Sequence, residues 1–286
     1  MSKSKQSLAS QSPGKTPVVS VVMPVYNSAK YLPLAIESIL SQAYTNFEFI
    51  IIDDGSSDSS GEIIKKYSLQ DKRIKVRRNH SNQGICRTLN YGLSLAMGDY
   101  IARMDADDWS YPDRLGEQLT FMRSHPQVVI CGGTIDVCDE NIGLKNQRYY
   151  PASDKKIREK MFMINPFAHP ATMYKRQTAL DVGGYNEKLS GAEDYDFYFR
   201  LGRKGKFANL SRKLLKLRTH PDSISGSTIT RQSRLNLYIR IKAISEYGYV
   251  ASFFDKIYFC LNIFGMLLIP AFLQFRIYNF LRKFQK

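Results

Sequence analysis

The chain has 286 residues, 43% hydrophobic and 23% charged, which excludes collagen-like and disordered classes and allows one or two domains with a buried core. Lys and Arg outnumber Asp and Glu by 41 to 26, a formal net charge of +15 that suggests a polyanionic neighbour: nucleic acid, an anionic membrane face or a phosphorylated substrate. The cysteines (Cys86, Cys131, Cys138, Cys260) form no CxxC pair, which argues against a zinc ribbon or disulfide scaffold and for a reducing compartment.

Residues 1–16 are rich in Ser, Lys and Gln and lack an apolar h-region, so a disordered leader is expected rather than a signal peptide. Residues 18–24 form a buried-strand run closed by Pro24. Leu32, Ala35, Ile36, Ile39 and Leu40 then recur at helical spacing within residues 29–41. A second apolar run, residues 47–52, stops at Asp53-Asp54-Gly55-Ser56. Residues 61–67 read as a helix, 74–76 as a strand, and Leu89, Gly92, Leu93 and Leu95 as one helix face. Two more strands are expected at residues 100–104 and 128–130. Such alternation of buried strands and helices predicts an α/β domain with a mostly parallel sheet. Ligands of such sheets sit beyond the carboxyl ends of the strands, so the polar residues there are the candidates for chemistry.

Three acidic clusters stand out, two at the ends of expected strands and one at the start of an expected helix. Asp53-Asp54-Gly55-Ser56-Ser57-Asp58 follows a strand; its carboxylates could accept hydrogen bonds from a base or ribose, or simply make an Asx turn and helix cap. In Asp105-Ala106-Asp107-Asp108, alternation points two carboxylates to one side, which suits a hard divalent cation such as Mg2+ or Mn2+. A solvated acidic turn is the plain alternative. Glu193-Asp194-Tyr195-Asp196 opens a helix; the macrodipole favours acids there, and one of them could also face a pocket as a general base.

From residue 19 to about 220 the chain resembles the family 2 glycosyltransferases, inverting enzymes of the GT-A fold. The resemblance is carried by six motifs in family order: residues 19–27, residues 52–58, Asn82-Gln83-Gly84 with Arg87 and Asn90, residues 105–108 followed by Pro112-x-Arg114-Leu115, Gly183-Gly184-Tyr185, and residues 193–196. It implies that Pro24, Tyr26 and Asp54 line the nucleobase pocket, that Arg87 approaches the nucleotide, and that Asp105 lies near the ribose. It further implies Asp107 as the metal ligand on the diphosphate and Asp194 as the catalytic base, with Glu193 on the acceptor side. His220 falls where related enzymes carry a diphosphate- or metal-contacting side chain, with a loop histidine of no special role as the alternative; His169 falls near the acceptor cleft, where a structural role is the expectation, and Trp109 after the acidic motif is expected to pack in the core. The expected cofactor is Mn2+ or Mg2+, and the expected donor a nucleotide sugar, with UDP preferred from the resemblance alone. Polymerising synthases of the family carry Gln-x-x-Arg-Trp after the base; here Arg200-Leu201-Gly202-Arg203 stands instead, so transfer of a single sugar is expected. A metal-dependent nucleotidyltransferase or phosphohydrolase would leave Glu193-Asp194 unexplained, and a non-catalytic basic membrane-binding module would leave the acidic clusters unexplained.

The charge excess is densest at the ends: residues 222–286 hold nine basic and three acidic side chains. A nucleic-acid groove would concentrate it within the folded domain, so no nucleic-acid partner is expected. Residues 223–230 read as a linker and 231–244 as a basic helix. Residues 257–275 are uncharged for nineteen positions but are interrupted by Asn262, Gly265, Pro270 and Gln274, and the basic tail Arg276, Arg282, Lys283 and Lys286 follows. The expected layout is therefore leader 1–16, catalytic domain 17–222, and a membrane-association region 223–286. The last would dip into or lie on the cytoplasmic face of a membrane (a bacterial inner membrane), presenting the enzyme to a glycan or lipid-linked acceptor. A helix that closes the catalytic domain or a dimer interface is the alternative for this region.

Overall fold

The computed structural model describes residues 17–220 and 229–268. The expected leader, nearly all of the expected linker and the basic tail lie outside the described residues. The first half of the fold alternates strand and helix: β1 (Val19–Val25), α1 (Leu32–Leu40), β2 (Phe47–Asp53), α2 (Ser60–Gln70), β3 (Ile74–Arg78), α3 (Ile85–Leu95) and β4 (Tyr100–Arg103). These four strands run parallel in the order β3-β2-β1-β4. The second half brings β5 (Trp109–Ser110), α4 (Arg114–Ser124), β6 (Val128–Cys138), β7 (Leu144–Arg148), α5 (Asp154–Lys160), β8 (Met173–Lys175), α6 (Arg176–Asp181), α7 (Glu193–Gly202) and β9 (Lys206–Arg218). It continues the sheet as β4-β8-β6-β9-β5, with β7 on β6. Here the pairing is mixed: β8 is antiparallel to β4 and β6, whereas β6 and β9 are parallel. The expectation of a mostly parallel sheet therefore describes the N-terminal half only. The short strands β5 and β8 carry too few residues to show a period in sequence.

Burial on both faces explains the apolar strand runs. Val19, Val21, Met23 and Val25 of β1 and Phe49 and Ile51 of β2 join one core with α1 and α4. Val22, Ile50 and Ile52 face a second core with α3, α6 and α7. The strand expected to close at Pro24 runs on to Val25, held by its pairing with β2 (Val25↔Asp53), while β4 pairs with β1 only as far as Val22. Pro24 thus sits where β1 has a single ladder neighbour, a setting that tolerates a missing N–H.

Arg114 knits the halves together. Only 1% exposed, it donates from Nη2 to the carbonyls of Arg103 (2.6 Å) and Thr172 (3.3 Å) and from Nε to Gln118 Oε1 (3.1 Å). Gln118 passes the link on, donating to the carbonyls of Cys131 and Ala171. A helical i, i+4 pair on α4 thereby fixes the ends of β4, β6 and the segment before β8.

The described part of the C-terminal region, α8 (Ile229–Ser245) and α9 (Phe253–Leu268), does not stand apart from the preceding α/β elements. Ile239, Ala243 and Ala251 belong to the same apolar cluster as α7, and Tyr247 Oη donates to Asp196 Oδ1 at 2.8 Å. The composition change near residue 222 marks a change in surface, with the packing continuous across it.

Gly92 lets α3 approach the sheet closely: a Cβ there would lie 2.5 Å from Val22 Cγ1 and 3.1 Å from Ile52 Cδ1. Gly92→Val should destabilise the fold by about 1–3 kcal/mol, as overpacking does, read as a lower urea midpoint at unchanged slope.

Candidate active site

The carboxyl edge of β1, β2 and β4 is built from loops that hydrogen-bond one another. Asp53 Oδ1 accepts from Ser56 N–H, closing the Asx turn that the sequence allows. Gly55, with φ of 75°, passes so near residues 81 and 82 that a Cβ would meet Ser81 C at 2.7 Å. Asp54 is buried, and its carboxylate accepts from Asn79 Nδ2 (2.7 Å), Gln83 N (2.9 Å) and Gly84 N (2.9 Å). Asp54 thus anchors the loop that leads into α3, and three of its roughly four acceptor positions are taken. Tyr26, just past β1, stands 49% exposed, whereas Pro24 is buried. Arg87 is exposed and paired with Glu187 at 2.8 Å.

Asp105, Asp107 and Asp108 follow β4 with carboxylate oxygens within 4.8 Å of one another. Burial, then mutual repulsion, raises Asp108 well above the ordinary carboxylate value, and burial raises Asp105 despite the opposing charge of Arg103. Asp108 Oδ1 accepts from Arg218 N–H (2.8 Å), while the buried Oδ2 has no hydrogen-bond partner among the described residues. Three converging hard oxygens, one of them buried and unsatisfied, fit a divalent cation. His220 Nε2 lies 3.0 Å from Asp107 Oδ2. β9 brings it there: Trp109↔Lys216 and Ser110↔Leu215 pairing sets the end of β9 beside the acidic turn. Arg218 then donates from Nε to Asp107 O (2.6 Å) and stacks over Tyr31, 4.6 Å from the ring centroid. Tyr31 Oη donates to Glu140 Oε1 at 2.7 Å, and Lys30 pairs with the same carboxylate.

A second acidic pair opens α7. Asp194 Oδ2 accepts from Asn165 Nδ2 (2.7 Å) and Oδ1 from Tyr195 N–H (2.8 Å), so its carboxylate is held in orientation. Burial raises it above the ordinary range, against the pull of those donors. Glu193, 9% exposed and accepting from Gly191 N–H, is pushed up to about 7 by burial and then by Asp194. Asp196 takes no part in the cleft: fully buried, it pairs with Arg200 at 2.6 Å, and Arg200 in turn donates to the carbonyls of Val182 and Gly184. His169 Nε2 is 2.9 Å from Tyr185 Oη, and burial drives its pKa well below the usual value, so it is a neutral imidazole supporting the wall.

Arg103 joins the two acidic groups. It is 3% exposed, pairs with Asp105, and its charge acts on Glu193 and Asp194 as well. The one signal for it in the sequence is a cation at the end of the otherwise apolar Tyr100-Ile101-Ala102. Arg218 sits two residues before His220 and carries a similar signal. Asn165, Tyr31 and Glu140 have no sequence signal, because loops bring them in. A cavity of about 340 Å³ lined by Arg200, Arg203, Lys204 and Tyr247 opens at the far end of α7 and contains none of the motif acids, so it is not where this chemistry lies.

Strand-end carboxylates and a second acidic pair, both within the field of buried Arg103, make up the candidate site, and comparison with known proteins gives the family. Residues 20–183 match the family described as Glycosyl transferase family 2. EpsE of Bacillus subtilis is 34% identical over 82% of this chain and 87% of its own length. The O-antigen biosynthesis glycosyltransferase WbnJ of Escherichia coli is 33% identical over 74% of this chain and 84% of its own. Among solved structures, S. aureus TarS 1-349 in complex with UDP-GlcNAc superposes with a TM-score of 0.64 at 20% identity, covering 80% of this chain and 71% of that one. The mannosyltransferase PcManGT of Pyrobaculum calidifontis with GDP-Man and Mn2+ gives 0.63 at 16% identity, covering 93% and 74%. The chain belongs to glycosyl transferase family 2 and has the GT-A fold; it is a glycosyltransferase.

The raised Glu193 gives a stability signature. The folded state keeps its proton up to about pH 7, whereas an ordinary glutamate releases it near 4.5. Between these values the unfolded state binds fewer protons, so stability falls as pH rises and stays lower above pH 7. Glu193→Gln removes that cost and keeps an acceptor for Gly191 N–H. Denaturant melts should show a gain on the order of 1–3 kcal/mol at about pH 8 and none near pH 4.

Proposed function

We propose that this glycosyltransferase moves a single sugar, with inversion and with the help of a divalent cation, from a UDP-sugar to a hydroxyl of a glycan or lipid-linked acceptor in cell-surface polysaccharide or glycolipid assembly. The observation that carries the reading is that two separate acidic groups both lie within the field of buried Arg103, which pairs with Asp105 and acts on Glu193 and Asp194. Asp105, Asp107 and Asp108, with His220, have the donor set for Mn2+ or Mg2+, which when bound neutralises charge on a leaving diphosphate. The UDP preference draws on the motif resemblance and on the TarS complex with UDP-GlcNAc, and the polysaccharide role on WbnJ.

On the acceptor side, Asp194 takes the proton from the attacking hydroxyl. Asn165 and Tyr195 N–H hold both of its oxygens, so the remaining lone pairs are aimed before the acceptor arrives. Its raised pKa makes it a stronger base than an exposed aspartate, nearer the working pH. Glu193 shapes the turn through Gly191 N–H, and Arg103 keeps the two acidic groups from repelling each other apart. A single displacement needs one base and no protein nucleophile. The three cysteines described as buried (Cys86, Cys131, Cys138) have no such role here.

Asp194→Asn should lower turnover by ~10²-fold or more at nearly unchanged donor affinity, the size of a general-base contribution. Glu193→Gln should act more mildly. Steady-state kinetics with a nucleotide-sugar panel decides this, and an exchange of behaviour between the two variants would reassign the base. Asp107→Ala should abolish activity and weaken nucleotide binding in titration calorimetry. EDTA should reproduce that loss and added Mn2+ or Mg2+ reverse it; full turnover in chelator rejects the metal assignment.

A further inference from the structure

Helix α9 is amphipathic in the inverted sense, with its apolar stripe directed outward. At 100° per residue, Phe253, Phe254, Ile257, Cys260, Leu261 and Phe264 fall in one band about 120° wide. Phe253 is 72% exposed, Phe254 71%, Leu261 63% and Phe264 62%. The opposite side faces the protein. Asp255 is buried and forms a reciprocal cap with Ser252, accepting from its N–H at 2.8 Å while Ser252 Oγ accepts from Asp255 N–H. Tyr258 Oη donates to Met163 O at 3.1 Å, and Phe259 packs 5.6 Å from Phe162. The cap and these inner contacts fix the roll of α9, so the apolar band cannot turn inward. Val250, just before the helix, is 89% exposed, and Tyr238 and Ile241 of α8 are about half exposed. No helix among the described residues is long and apolar enough to cross a membrane.

The charges around this band select its occupant. Between residues 229 and 268 the sequence has five basic and two acidic side chains. Asp255 is spent on the cap, which leaves Glu246 as the exposed acid of the described C-terminal residues. Lys256 borders the band, and Arg231 and Arg234 stand exposed at the start of α8. A second copy of the chain docked by a twofold would set this positive face against itself. An anionic lipid surface instead complements both the charge and the aromatic-aliphatic band.

We propose that the outward face of α9, with the basic start of α8, seats in the plane of an anionic phospholipid bilayer interface and holds the catalytic domain against the lipid surface. The contact uses no residue of the acidic site, so it stands or falls separately from the transfer reaction.

Co-sedimentation of the full chain with phosphatidylcholine vesicles, with and without phosphatidylglycerol, tests it. The expected result is binding that requires phosphatidylglycerol and is weakened by high salt. Phe254→Glu combined with Leu261→Glu should weaken binding by about tenfold or more, with an unchanged melting temperature. Lys256→Glu, at an exposed position, should weaken it several-fold and serves if the double variant does not fold. Three outcomes would overturn the proposal: a full chain that stays in the supernatant at every composition, folded variants that bind like the parent, or sedimentation velocity in which the double variant converts a dimer to a monomer without any vesicle binding.

Discussion

Carboxylates crowded at one edge of a sheet repel each other, and burial removes the water that would screen them. The rest of the architecture is organised around relieving that repulsion. Asp105 and Asp108 are answered by arginines that are themselves buried: Arg103 at 3% exposure, Arg114 at 1% and Arg218 at 6%. Burying a charge is costly unless it is paired and hydrogen-bonded. Arg103 is paired with the Asp105 carboxylate, and Arg114 and Arg218 donate to backbone carbonyls. Arg114 bonds the carbonyls of Arg103 and Thr172, and Arg218 bonds those of Asp107 and Glu140. The cations that neutralise the acids are therefore also the joints between elements, and the charge balance and the sheet geometry cannot be changed independently.

The same economy operates at α7. Its first turn carries three acids, which the helix dipole favours. Asp196 is drawn into an ion pair with Arg200, one turn along, and that pair holds the Val182 and Gly184 carbonyls. Glu193 and Asp194 remain at the cleft, raised by burial and steadied by Gly191, Tyr195 and Asn165. One acid of the cluster serves the fold, and the other two are the ones proposed to meet substrate. The sequence motif does not distinguish them, because spacing alone does not say which helix face meets the sheet.

The C-terminal helices divide their surfaces in a similar way. Ile239 and Ala243 of α8 complete the core under α7, whereas α9 turns its aromatic residues outward. Hydrophobic content alone would have placed α9 among the buried helices. Its Ser252–Asp255 cap and the Tyr258 bond to Met163 orient it otherwise. An outward apolar band on a basic protein is a functional surface more readily than a packing error.

What the sequence determined by itself was local in kind. Apolar runs bounded by Asp-Gly and Pro defined β1 and β2, helical spacing defined α1 and α3, and the motif order from residue 19 to about 220 was sufficient for the family and the GT-A fold. These features depend on short-range periodicity or on residue types in a row, and both survive without knowledge of tertiary contacts. The mixed half of the sheet was not legible: β8 has three residues and β5 two, too few to carry a period, and they exist as strands only because β4, β6 and β9 offer edges to pair with. The partners of the motif residues were hidden for the same reason. His220 meets Asp107 across 113 positions, and Asn165 meets Asp194 across 29, through loops of no fixed spacing. The sequence named the acids; the tertiary structure decided their partners, since charge compensation acts through distance in space and burial, neither of which is written along the chain.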